Sequence, residues 1–103
     1  MANPLVLLNR FTPKVGQGGP MLDALRFQNN VWNEQGLPGF ELWKPYDGPH
    51  NSVVTVQRWA SFADWEAMRE TLPTISQCRD AVFERLYPTT ESPFYTTYYE
   101  VLH

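Results

Sequence analysis

Four consecutive apolar residues, Leu5-Val6-Leu7-Leu8, open the first strand-like stretch of this chain. In an extended chain successive side chains alternate in direction. Leu5, Leu7, Asn9 and Phe11 therefore point one way, and Val6, Leu8 and Arg10 the other. A strand that is apolar on both sides needs two covers. Val53 to Trp59, the most β-branched stretch, sets Val54 and Val56 the same problem. Any fold for this chain must hide both faces of a sheet.

The remaining elements follow from periodicity and punctuation. Thr12-Pro13-Lys14 ends the first strand and Gly16 to Gly19 is a loop. Pro20 suits the first turn of a helix, which runs from Met21 to about Gln35 with Leu22, Leu25 and Trp32 on one stripe. Gly36-Leu37-Pro38-Gly39 stops it. Phe40 to Tyr46 is a second strand, Asp47-Gly48-Pro49 a turn, and Val53 to Trp59 the third strand. Ser61 and Asp64 predict a capped helix start, with Phe62, Trp65, Met68 and Leu72 on one face. Pro73 interrupts that helix. Thr74 and Gln77 suggest a second capping box, and Ile75, Cys78, Val82 and Leu86 a buried stripe, before Pro88. Phe94 to Leu102 is the last strand. The order is β-α-β-β-α-β, with the second helix broken in two. This is the order of an α+β, ferredoxin-like sandwich: a four-stranded antiparallel sheet with its helices on one face. The simplest cover for the other face is the same sheet of a second copy, related by a two-fold axis. A homodimer is therefore expected.

With 103 residues the chain has the size of a single domain, residues 1–103. Such a chain can build one core but no deep cavity besides, so a ligand pocket must lie between layers or be completed by a second subunit. Aromatic residues make up 15% of it, an unusual load that suits an aromatic-lined pocket, an interface or simple core filling. The net charge is −3 and no basic run occurs, which speaks against nucleic acid. Cys78 is the lone cysteine and has no internal disulfide partner. The N-terminus has neither the basic start nor the long apolar core of a signal peptide or membrane span. A cytoplasmic protein with no membrane partner is expected.

Several of these residues stand together in a family pattern. Pro38-Gly39-Phe40-Glu41-Leu42 precedes Lys44-Pro45, and Val54-Thr55-Val56-Gln57-Arg58-Trp59-Ala60-Ser61 is followed by Trp65. Asn9-Arg10-Phe11 with Lys14 and Gly16 at the start, and Tyr99-Glu100-Val101-Leu102 at the end, extend the likeness over nearly the whole chain. In order and spacing the sequence resembles the antibiotic-biosynthesis-monooxygenase family of the dimeric α/β-barrel superfamily. The resemblance implies one of two activities. One branch oxidises anthrones and hydroquinones with dioxygen and without metal or flavin. The other binds and degrades haem through an Asn on the first strand, a Trp after the third strand and an axial His. Matched residue by residue, Asn9 meets the Asn, Met68 falls at or beside the Trp position, and Cys78 falls near the His. That departs from the haem branch, so no cofactor is expected.

Asn9 breaks an apolar strand, and a buried amide must find partners in the backbone or in a cavity. The resemblance makes it the expected catalytic residue, a donor to a substrate oxygen that gains negative charge. Phe11, Trp32, Trp65, Met68 and Cys78 are the expected substrate-binding residues. The plain alternative is ordinary core for the aromatic residues and Met68, and a small buried thiol for Cys78. Thiolate ligation of haem iron by Cys78 is a further alternative. His50 and His103 lack a ligand-spaced neighbour, and no metal site is expected. Three functions compete: a cofactor-independent monooxygenase acting on a small aromatic ligand, a haem protein, and a non-catalytic dimeric binder on the same scaffold.

Overall fold

The computed structural model describes residues 3–45, 52–91 and 95–102. Four strands, β1 (Leu5–Phe11), β2 (Phe40–Trp43), β3 (Val53–Trp59) and β4 (Tyr95–Glu100), form one antiparallel sheet in the order β2-β3-β1-β4. Helix α1 (Gly18–Glu34) joins β1 to β2. Between β3 and β4 come α2 (Phe62–Thr71), a 3-10 turn (Leu72–Thr74), and α3 (Ser76–Asp80), which runs into a π segment (Ala81–Leu86) and a final 3-10 turn (Tyr87–Thr89). The fold is the ferredoxin-like α+β sandwich expected from the element order. The turn at Asp47-Gly48-Pro49 and the proposed strand residues Tyr46 and Phe94 lie outside the described residues. Lys44 and Pro45, expected in β2, lie beyond its end at Trp43.

Local chemistry explains the boundaries. Ser61 Oγ accepts a 3.1 Å hydrogen bond from the Asp64 amide, capping α2 as expected. α1 starts at Gly18, before Pro20, and no side chain caps it. It ends at Gly36, whose φ of 74° suits glycine. The Leu37 amide bonds to the Trp32 carbonyl at 2.9 Å and the Gly36 amide to the Asn33 carbonyl at 3.1 Å, a Schellman closure. Leu37 and Trp32 then pack in the same cluster. A Cβ on Gly39 would stand 2.7 Å from Asn33 Oδ1 and 3.0 Å from Asn29 Oδ1, so a larger residue where the chain passes under α1 would require those side chains to shift. The neighbouring backbone is tied down on both sides. Asn29 Oδ1 accepts from the Phe40 amide at 2.9 Å, and Gln57 Nε2 donates to the Pro38 carbonyl at 2.7 Å. The Pro-Gly-Phe motif is thus a junction between α1 and β3.

Three expectations for the helices change. The buried stripe of α1 is Met21, Ala24, Leu25, Val31 and Trp32, while Leu22 is only half-buried. The Thr74 hydroxyl donates to the Thr71 carbonyl at 2.6 Å and so closes the preceding turn; α3 begins without a side-chain cap. The stripe of the last helix shifts from Val82 to Ala81. Cys78, Ala81 and Leu86 are buried and Val82 is half-buried. The π segment is the cause. Its bonds span five residues, as from the Tyr87 amide to the Val82 carbonyl, so Ala81 and Leu86, five apart, share a face.

The helices cover one face of the sheet. Phe11, Met21, Ala24, Leu25 and Leu86 form one cluster there, Val31, Trp32, Leu37, Cys78 and Ala81 a second, and Leu5, Leu7, Trp59 and Trp65 a third. The register places Val6, Leu8 and Arg10, Val54, Val56 and Arg58, Glu41 and Trp43, and Tyr95, Thr97 and Tyr99 on the opposite face. No described helix lies there. Trp43, Tyr95 and Tyr99 are about half or more exposed. Arg58 and Glu41 form an exposed ion pair at 3.6 Å, a contact of small energetic weight.

Candidate functional site

On the helix-facing side, β1 and β4 present matched rows of side chains: Leu5 beside Glu100, Leu7 beside Tyr98, and Asn9 beside Thr96. β4 is an edge strand, and all six of its residues are exposed. This strip is therefore open where the rest of the sheet is roofed. Asn9 is half-buried in it. Its Oδ1 accepts a 2.6 Å hydrogen bond from Thr96 Oγ1. That contact assigns the amide orientation and leaves the Asn9 Nδ2 donors without an acceptor among the described residues. One row along, Tyr98 meets the edge of Trp65, with ring centroids 5.0 Å apart at 65°. Trp65 is buried against Leu5, Leu7, Trp59 and Met68. Beyond Tyr98, a cavity of about 480 Å³ opens between Leu5, Tyr98, Glu100 and the first turn of α2. Phe62, expected on the buried face of α2, lines this cavity and is 50% exposed. The volume lies in the range of small-molecule sites.

The expected site residues fall in three places. Asn9, Trp65 and Met68 flank the β1–β4 strip. Trp32 and Cys78 lie in the second cluster, and Met68 packs against both that cluster and the one around Trp65. Phe11 is 4% exposed and plugs the core with Met21 and Leu25. Trp32 and Cys78 border a different crevice, lined also by Arg69, Leu72, Pro73, Arg79, Val82 and Phe83. Thr96 and Tyr98 are strip residues that were not among the expected site residues. Their signal was the alternation of β4, which becomes useful only once the register with Asn9 and Leu7 is known.

Cys78 is 1% exposed, and burial pushes its thiol above its ordinary value. A neutral thiol packed among apolar groups does not offer the thiolate that haem iron takes from cysteine. No histidine stands in the helical run from Ser76 to Leu86. The residues at the expected axial position thus do not fit haem. Among the described residues, no three His, Cys, Asp or Glu side chains come together in a metal-binding group. No described helix is long and apolar enough to cross a membrane.

No protein-family model and no curated protein matches the sequence. Solved structures do match the fold. A NIPSNAP family protein from Agrobacterium tumefaciens superposes with a TM-score of 0.79 at 17% identity, over 99% of this chain and 89% of that one. SnoaB, a cofactor-independent oxygenase from Streptomyces nogalater, gives 0.72 at 19% identity, over 99% and 96%. A Nitrosomonas europaea protein assigned as an antibiotic biosynthesis monooxygenase gives 0.75 at 13% identity, over 100% and 94%. The fold is therefore one shared by oxygenases and by NIPSNAP proteins. At these identities the likeness is one of fold.

Proposed function

We propose that this protein is a cofactor-independent oxygenase that takes a small, electron-rich aromatic substrate along the open β1–β4 strip. The observation that carries this reading is the Asn9–Thr96 pair. A carboxamide whose oxygen is engaged presents its N–H groups in a set direction. Such a donor suits a phenolate or enolate oxygen as charge builds there. Leu7, Tyr98 and Trp65 provide an apolar and aromatic bed one row away. Adjacent rows on one face stand about 7 Å apart, so a flat polycyclic body spans from the cavity beside Tyr98 toward Asn9. For an anthrone-type substrate the ring methylene becomes a carbonyl. One atom of dioxygen stays on carbon, the other leaves as water, and the substrate supplies the electrons. The similar fold of a cofactor-independent oxygenase supports the reading.

The strip is open at β4, and the opposite face of the sheet exposes Trp43, Tyr95 and Tyr99. Exposed apolar patches of this kind mark interaction surfaces. A second copy of the chain, packed sheet to sheet, covers that face in our proposal and makes the working protein a homodimer.

Oxygen uptake with anthrone-type substrates is the direct test. Loss of one preorganised donor typically lowers kcat about 10²–10³-fold. Asn9→Ala is expected to do so while the protein stays folded by circular dichroism. Saturable binding of the same compounds without oxygen uptake would make the protein a passive binder instead.

A further inference from the structure

The β1–β4 strip has a polar group at each end. At one end stands the Asn9–Thr96 pair. The other end is the row of Leu5 and Glu100, beyond that of Leu7 and Tyr98. Glu100 lines the cavity of about 480 Å³ together with Leu5, Phe62 and Tyr98. Asn3, also in that lining, donates from Nδ2 to Glu100 Oε1. The contact holds the carboxylate by one oxygen, and Oε2 has no donor among the described residues. No cation balances it there either. The ion pairs among the described residues are Arg26–Asp23 and Arg58–Glu41, and no basic side chain lines the cavity.

Between these ends the strip is apolar and aromatic. Leu5 and Leu7 are buried along β1. Beside them runs a series of three rings: Phe62 is tilted against Trp65 with centroids 5.4 Å apart, and Trp65 meets Tyr98 at 5.0 Å. The two ends are opposite in kind. Asn9 Nδ2 is a donor and calls for an acceptor oxygen. A carboxylate is an acceptor only, so Glu100 calls for a donor. Asn9 stands four positions beyond Leu5 in β1, about 13 Å at the rise of a strand. Allowing about 2.8 Å for a hydrogen bond at each end leaves about 8 Å between the oxygens of a ligand that spans the strip. The far ends of a fused bicyclic or tricyclic aromatic body are separated on that scale.

We infer that Glu100 is a specificity-determining residue, which accepts a hydrogen bond from a phenolic hydroxyl on the substrate ring furthest from Asn9. The preferred substrate class is then a neutral fused aromatic with an acceptor oxygen at one end and a free hydroxyl at the other. Hydrogen bonds to a charged acceptor are the stronger kind. A far ring that carries a carboxylate or sulfonate is repelled by the same group. The inference rests on the strip being the substrate site, and adds what the far end of that substrate carries.

The test is isothermal titration calorimetry of the full chain with 6-methoxy-2-naphthol and with 2,6-dimethoxynaphthalene. Both offer an acceptor oxygen to Asn9, but only the naphthol has a hydroxyl to donate. The naphthol is expected to bind about tenfold tighter, the size of one hydrogen bond to a charged group. Glu100→Ala should remove that difference by weakening the naphthol alone. Glu100→Gln keeps an acceptor carbonyl without the charge and should keep part of the difference. Asn9→Ala should weaken both compounds and leave the difference in place. Oxygen uptake with anthrone-type substrates, measured alongside, separates the two readings. Uptake by a protein with no preference for the naphthol removes the role of Glu100 and leaves the oxygenase reading. A preference that depends on Glu100, without uptake, does the reverse. Binding of neither compound, equal binding of both, or a preference that survives Glu100→Ala in the folded variant would overturn the assignment.

Discussion

The two faces of the sheet come from the same strands, yet they differ in how they are closed. The helix-facing residues Leu5, Leu7, Phe11, Thr55, Gln57 and Trp59 are all buried within one chain. Their neighbours on the other face are half-buried or exposed at Val6, Leu8, Arg10, Val54 and Arg58, with only Val56 fully hidden. Alternation makes both faces apolar, but the described helices cover only one of them. The first face is thus a matter of intramolecular packing, and the second is the surface that our proposal gives to a second copy of the chain.

The largest expected effect lies on the covered side. Leu25 is fully buried between α1 and the sheet, and Leu25→Ala should lower stability by about 2–5 kcal/mol in urea or guanidinium unfolding. A loss under 1 kcal/mol would mean that the layers are loosely packed. On the uncovered side, Tyr99→Ala should behave differently with concentration. If a second copy packs there, sedimentation will show a dimer for the parent protein at micromolar concentration and a shift toward monomer for the variant. In the dissociated monomer the same change should alter stability by no more than about 0.5 kcal/mol, as for other surface positions. A parent protein that sediments as a folded monomer at micromolar concentration would remove the dimer proposal.

The smallest effect separates the faces by pH. Cys78 and Tyr87 lie in the helix layer, and burial raises the pKa of both. Above the ordinary thiol value near 9.0, the unfolded chain releases a proton that the folded chain keeps. The folded state then binds more protons, so stability falls as pH rises. The contribution of these two groups should be constant below about pH 8 and decline above it, first through Cys78 and then through Tyr87, whose ordinary value is 10.0. Cys78→Ala should flatten the first part of that decline, as read from melting temperatures in buffers stepped from neutral to alkaline pH. An unchanged slope in the variant would show that the thiol is not the group responsible.

Much of this protein was legible from side-chain alternation and capping. The strands β1 and β3, the Ser61 cap, the break at Pro73 and the α+β sandwich are properties of local pattern. They depend on φ/ψ preferences, hydrogen bonds between near neighbours and the period of apolar residues. Asn9 stood out as a break in an apolar strand and Trp65 and Met68 as members of an apolar stripe, while their place in a site came from the family resemblance. Their partners could not be read in this way. Thr96 joins Asn9 only through the register of β4 on β1, 87 residues away in sequence.

The sequence by itself determined that both faces of the sheet would carry apolar residues, because side chains at successive strand positions cannot all point to one side. Tertiary structure alone decided where the candidate residues went: Trp32 and Cys78 to one side of Met68, Trp65 and Asn9 to the other. It also decided that the last helix would widen at Ala81 and present Val82 and Phe83 to a crevice. Helical periodicity expects Val82 in the core; the five-residue bonds of the π segment instead bring Ala81 and Leu86 onto the face that packs against α1 and Phe11.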